Sequence, residues 1–129
     1  MEIFKNSNLK KFFQSFVFAF SGLKLVFKER NFKIFSFIAI LVILLMFLFK
    51  LSLLEKTILI LTISVTMALE ILNTQIEKTL DFLHPSYHSK IKEIKDICAG
   101  AVLIMCLGAA VVGILIFWPY FKEIIFRFF

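Results

Sequence analysis

The chain has 129 residues, 60% of them hydrophobic, with eighteen phenylalanines and a mean hydropathy of +0.94. So apolar a chain has too little polar surface to cover a small globule, which excludes a soluble single domain and makes this a membrane protein. The formal net charge is +6, but the basic residues alternate with phenylalanines instead of forming a polar face, and this argues against a nucleic-acid partner.

In chain order, residues 9–28 come first. Their lysines gather toward the two ends, and Phe12, Phe13, Phe16, Phe18, Phe20 and Phe27 supply apolar bulk. The segment reads as an amphipathic helix lying on the membrane, with a fourth span as the competing reading. No compact apolar stretch followed by a small-residue cleavage site precedes it, so no cleavable leader is expected. Residues 34–49 are uncharged and bracketed by Lys33 and Lys50, which can snorkel, so a first span is expected over 33–52. A second helix is expected over 55–83, beginning at Leu53 or Glu55 and stopped by Pro85, which also pushes His84 toward an extended conformation. A third span is expected over 92–121. It carries Gly100, Gly108 and Gly113 among several alanines, small residues that allow close helix packing. Cys98 and Cys106 lie eight positions apart on it, about 12 Å along the axis, too far to bridge within one helix.

Orientation follows from the basic residues. Seven lie in the first 33 positions and four, Lys78, Lys90, Lys92 and Lys95, surround the second loop, whereas the first connection has only Lys50 and Lys56. The positive-inside bias then puts the N-terminus and the second loop on the cytoplasmic side.

The second span ends in an unusual stripe. Glu70, Asn73, Thr74, Glu77 and Asp81 fall within roughly a 100° arc of a helix, after a run from position 57 to 69 without any charge. A carboxylate at the centre of a bilayer costs about 2.5–3.5 kcal/mol on insertion scales, and intramembrane acids therefore point to function. Glu70 is the deepest of them and suits a general base acting on a hydroxyl. Glu77 lies about 10.5 Å further toward the cytoplasm, where a carboxylate can hold Mg²⁺ together with waters and phosphates. Asn73 can orient a carboxylate or a phosphate, and Asp81 reads equally as a site residue or a solvated helix-end charge. Spacing alone makes Glu29 an ordinary ion-pair partner of Arg30 or Lys33. Lys95 and Asp96 read either as interfacial anchors or as contacts for a phosphate and a ribose. His84 and His88 with Asp81 invite a zinc reading, but Pro85 breaks a regular helical pair and no thiolate joins them. Soluble nucleotide-binding loops are absent, so a kinase here must assemble its site from membrane helices.

At this point the strings resemble a family. The run Ala68-Leu69-Glu70-Ile71-Leu72-Asn73-Thr74-Gln75-Ile76-Glu77 followed by Asp81 resembles the small bacterial integral-membrane diacylglycerol kinases and undecaprenol kinases. So do Glu29-Arg30-Asn31-Phe32-Lys33 with Gly22 before it, and Tyr87-His88 with Lys95-Asp96-Ile97-Cys98-Ala99-Gly100. The resemblance implies an all-α homotrimer, each subunit with a surface helix and three transmembrane helices, and active sites formed between subunits at the cytoplasmic interface. It implies Glu70 as the base that takes the lipid hydroxyl proton, and Glu29 and Glu77 as ligands of the magnesium that accompanies ATP. Ser86, Tyr87, His88, Lys95 and Asp96 match nucleotide-contacting positions, and Lys10 a basic residue near the phosphates. Lys33, Gln75 and Phe35 depart from the family pattern. The Asn-Phe-basic-Ile stretch and the Leu-Leu-Glu turn at 53–55 resemble the polyprenol-acting branch, so the implied acceptor is undecaprenol, with diacylglycerol as the alternative. Two readings from other classes compete: a proton-coupled transporter or channel using Glu70, and a non-catalytic assembly or lysis protein.

Overall fold

The computed structural model describes residues 2–128, with side chains described for 8–127. Four helices follow one another: α1 Glu2–Val26, α2 Arg30–Leu48, α3 Leu53–Leu83 and α4 Ser89–Phe128. Three of them, α2, α3 and α4, are long and apolar enough to cross a membrane. Among the described residues there is no strand.

The helix limits differ from the sequence expectations where the chain lacks a breaker. α1 starts at Glu2 rather than near position 9, because Asn6, Ser7 and Asn8 are weak helix formers but none stops a helix. It ends in a turn at 27–29, where the Lys28 and Glu29 amides donate to the carbonyls of Leu25 and Val26, three residues back (3.2 and 2.9 Å). The phenylalanines at 12, 13, 16, 18 and 20 are all exposed, on more than one side of α1. α4 starts three residues before the expected position and runs past 121. Pro119 lies inside it and removes one backbone donor without ending the helix, as is tolerated in apolar helices.

The connection between α2 and α3 is tightly built. The amides of Leu51 and Lys50 donate to the carbonyls of Met46 and Phe47 (3.3 Å each), and Lys50 has φ 50°. These are the two bonds of a Schellman ending, with lysine in the left-handed position that usually holds glycine. Ser52 then caps α3: its hydroxyl accepts from the Glu55 amide (3.3 Å) and the Glu55 carboxylate accepts from the Ser52 amide (2.8 Å). Tyr120 of α4 donates to the same carboxylate (2.9 Å), pinning α4 to this end of the bundle. Met46, Leu51, Leu59 and Phe117 form the buried cluster beside it. Ser52→Ala is expected to lower stability by about 1 kcal/mol, the usual loss for an N-cap, read as a lower thermal unfolding midpoint in detergent.

α3 packs most extensively against α4 and next against α2. At the opposite end it stops at Leu83, where His84 turns extended (φ −138°, ψ 87°) ahead of Pro85. That termination sets the acidic stripe beside the 84–88 loop and the start of α4.

Candidate functional site

The most deeply buried polar group in the described chain is a carboxylate. Glu70 is 2% exposed, on the face of α3 that also buries Thr66, Asn73 and Thr74. Its Oε1 atom has no hydrogen-bond partner. Leaving such an acceptor unpaired costs about 1–3 kcal/mol, so the fold stabilises this arrangement from elsewhere. The side-chain amide of Asn31, on the first turn of α2, lies beside the Glu70 carboxylate. Asn31 belongs to the Glu29–Lys33 string, where nothing in the sequence assigns it a role. No helical periodicity connects α2 to α3, so only the packing of the two helices reveals the contact.

One turn further, Asn73 Nδ2 donates to Glu77 Oε1 (3.1 Å), while its own buried Oδ1 has no partner. Two of the stripe's carboxylates, Glu70 and Glu77, thus carry between them an amide that holds one and leaves a hard oxygen available. Glu77 is half-buried. Glu29 pairs with neither Arg30 nor Lys33. Its Oε1 receives the Lys78 ammonium of α3 at 2.5 Å, which brings Glu29 from the start of α2 to the level of Glu77 on α3.

The α3–α4 loop supplies the remaining candidates. Lys95 of α4 pairs with Asp81 of α3, and Lys92 pairs with Asp96 one turn along α4 (2.6 Å). Ser86, Tyr87 and His88 are exposed, Tyr87 at 83%. The rings of His84 and His88 stand 6.0 Å apart, but among the described residues no three His, Cys, Asp or Glu side chains are placed to hold a metal. Lys10 is exposed and lies about 14 Å along α1 from Ala19, where α1 begins to face α3 across a cavity of about 610 Å³. Within this single chain it is not brought to the stripe. Cys98 and Cys106 are free thiols.

Below Glu70 the character changes. The hydroxyls of Thr57, Thr62, Ser64 and Thr66 each donate to the carbonyl four residues back, at 2.8–2.9 Å. Beside them a cavity of about 350 Å³ between α2, α3 and α4 is lined mostly by aliphatic and aromatic side chains, including Ile38, Val42, Leu59 and Phe117. Between positions 57 and 69, α3 therefore carries no charged side chain, and its hydroxyls are bonded to their own helix.

The family described as prokaryotic diacylglycerol kinase matches residues 17–117, which include Glu29, the whole stripe, the loop and the first part of α4. The chain belongs to the prokaryotic diacylglycerol kinase family. It is 39% identical over 114 residues to an undecaprenol kinase of Bacillus subtilis, covering 88% of this chain and 93% of that protein. It is also 39% identical over 101 residues to a diacylglycerol kinase of Synechocystis, covering 77% of this chain and 58% of that longer protein. As a member of this kinase family the chain is a lipid kinase, a transferase of the membrane. Its kinase chemistry uses ATP with a divalent metal. Of the candidate residues, Lys10 alone falls outside the matched residues.

Proposed function

We propose that this chain phosphorylates a membrane lipid alcohol, undecaprenol in preference to diacylglycerol, with Glu70 as the general base. The observation that carries the reading is the buried, unpartnered Oε1 of Glu70 at the junction of a polar face and an apolar cavity. The missing donor is the hydroxyl of the acceptor. Its proton passes to Glu70, its oxygen attacks the γ-phosphorus in line, and the bond to ADP breaks. The self-bonded hydroxyls and apolar cavity below Glu70 favour this over a transporter, which needs polar groups continuing across the membrane. A purely structural packing protein would have no use for two unpaired buried acceptors.

Glu77 and Glu29 would hold Mg²⁺, which usually takes one or two protein carboxylates and completes its shell with water and phosphate oxygens. The donor set fits: two carboxylates, plus the unpaired Oδ1 of Asn73 on the same stripe. When bound, the ion neutralises charge on the phosphates and helps align them for transfer. Asn73 orients Glu77, and Asp81 holds Lys95 until a phosphate replaces it. Lys95, Asp96, Ser86, Tyr87 and His88 would contact the nucleotide from the loop and α4. Lys10 would reach the phosphates from α1 of an adjoining subunit or after α1 closes on the site. The chain is proposed to act as a homotrimer in the bacterial cytoplasmic membrane, with α1 on the surface and the site facing the cytoplasm. The basic flanks of that end and the small residues of α4 support this.

The test is side-by-side phosphorylation of undecaprenol and diacylglycerol by the full chain in nanodiscs, with Mg²⁺ and labelled ATP. Label is expected to enter undecaprenol faster. Faster labelling of diacylglycerol would sink the acceptor assignment, and label in neither would sink the reaction.

A further inference from the structure

Glu29 sits at the N-cap of α2 with an extended backbone, yet its side chain caps nothing. An N-cap carboxylate would ordinarily serve the free amides of the first turn. Here it reaches across to α3 and takes the ammonium of Lys78, forty-nine residues away in the chain, at 2.5 Å. Lys78 directly follows Glu77, so it stands about 100° round the helix from that residue and just outside the arc of the stripe. It borders the cavity between α1 and α3 together with Thr74, Gln75 and Thr79. Arg30 and Lys33, the cations nearest to Glu29 in sequence, form no ion pair among the described residues.

A lysine ammonium is a compact point charge with three donors and no fixed fork, so it can stand against a carboxylate much as a small cation does. We infer that Lys78 is a resident counter-cation that holds Glu29 at the rim of α3 while no divalent ion is bound, and that a divalent ion must displace it. The inference rests on the reading of Glu29 as a metal ligand. It adds a role for a residue that periodicity places off the functional face. The lysine keeps Glu29 at the level of Glu77 in the unloaded site and competes with the ion for it. The side chains of Lys78 and Glu29 are 60% and 34% exposed, so water weakens the pair. An exposed pair of up to about 1 kcal/mol corresponds to an affinity penalty of about two- to fivefold.

The experiment is titration of the nucleotide-free, full-length protein in detergent with Mn²⁺, followed by electron paramagnetic resonance of the free ion. Lys78→Met is expected to bind Mn²⁺ about two- to fivefold more tightly than the parent chain. Lys78→Gln provides a second removal of the charge should the methionine variant fail to fold, and Lys78→Arg, which keeps the pair, should show no gain. In a Glu29→Gln background, removing Lys78 should change nothing. Unchanged or weaker Mn²⁺ binding in the charge-removal variants, with Glu29→Gln itself weakening binding, would overturn the role of Lys78 and leave Glu29 as a ligand. If Glu29→Gln leaves Mn²⁺ binding at the parent value, both the metal-ligand reading and this inference fall. A merely structural lysine would lower thermal stability when removed without tightening metal binding.

Discussion

Glu70→Gln is expected to lower kcat by about 10²–10⁴, the range that a positioned general base contributes. The KM for ATP should change little, because the nucleotide candidates Tyr87, His88, Lys95 and Asp96 lie on the 84–88 loop and on α4, not at Glu70. Glutamine has the same length and keeps an oxygen where Glu70 has one, so the fold loses no volume. What it loses is the capacity to accept a proton from the acceptor hydroxyl. Steady-state kinetics with the lipid and ATP varied in turn separates the two effects. A large rise in the ATP KM with kcat preserved would mean that Glu70 serves the nucleotide and not the acceptor.

Glu77→Gln should fail differently. Its carboxylate is half-buried and held by Asn73 Nδ2 at 3.1 Å, so the oxygen geometry survives while the charge does not. A hard divalent cation bound through one or two carboxylates loses a principal ligand. Perturbing the surroundings of a metal ligand alone typically costs about 10–100-fold in affinity or activity, and removing the ligand's charge should cost at least that. The concentration of Mg²⁺ giving half-maximal rate is therefore expected to rise by that factor, with partial recovery of turnover at high Mg²⁺. No such recovery is expected for Glu70→Gln. Recovery patterns that are the same in both variants would show that the two carboxylates do not have separate roles.

The sequence carried the architecture because its signals are local. An uncharged run of sufficient length, a flanking lysine or a proline can each be read without knowing what lies opposite. Pro85 gave the end of α3 and the extended His84. The capping box of Ser52 and Glu55 formed no part of that expectation, and its third member, Tyr120, comes from a distant helix. The limits of α1 and α4 were harder because polar residues such as Asn6 and Ser7, or a proline such as Pro119 in an apolar run, weaken a helix without fixing its end.

The stripe was legible for the same reason, since 3.6-residue periodicity puts Glu70, Asn73, Thr74 and Glu77 on one face. Contacts across helices were not. Nothing in a linear pattern brings Asn31 to Glu70, or takes Glu29 past Arg30 and Lys33 to Lys78. Both contacts depend on how the turn at 27–29 lays the start of α2 against α3. The resemblance to membrane lipid kinases singled out Glu29, and packing gives that glutamate a partner that spacing could not have suggested.

In the proposed reaction Glu70 works on the lipid hydroxyl beside the apolar cavity. The most direct test is transfer of label from γ-labelled ATP to undecaprenol by the full chain in nanodiscs, with the parent and Glu70→Gln compared at saturating Mg²⁺ and ATP. The expected result is labelled undecaprenyl phosphate from the parent and about 1% of that or less from the variant, within the range for loss of a general base. Equal labelling by the two proteins, with ATP binding intact in both, would contradict it.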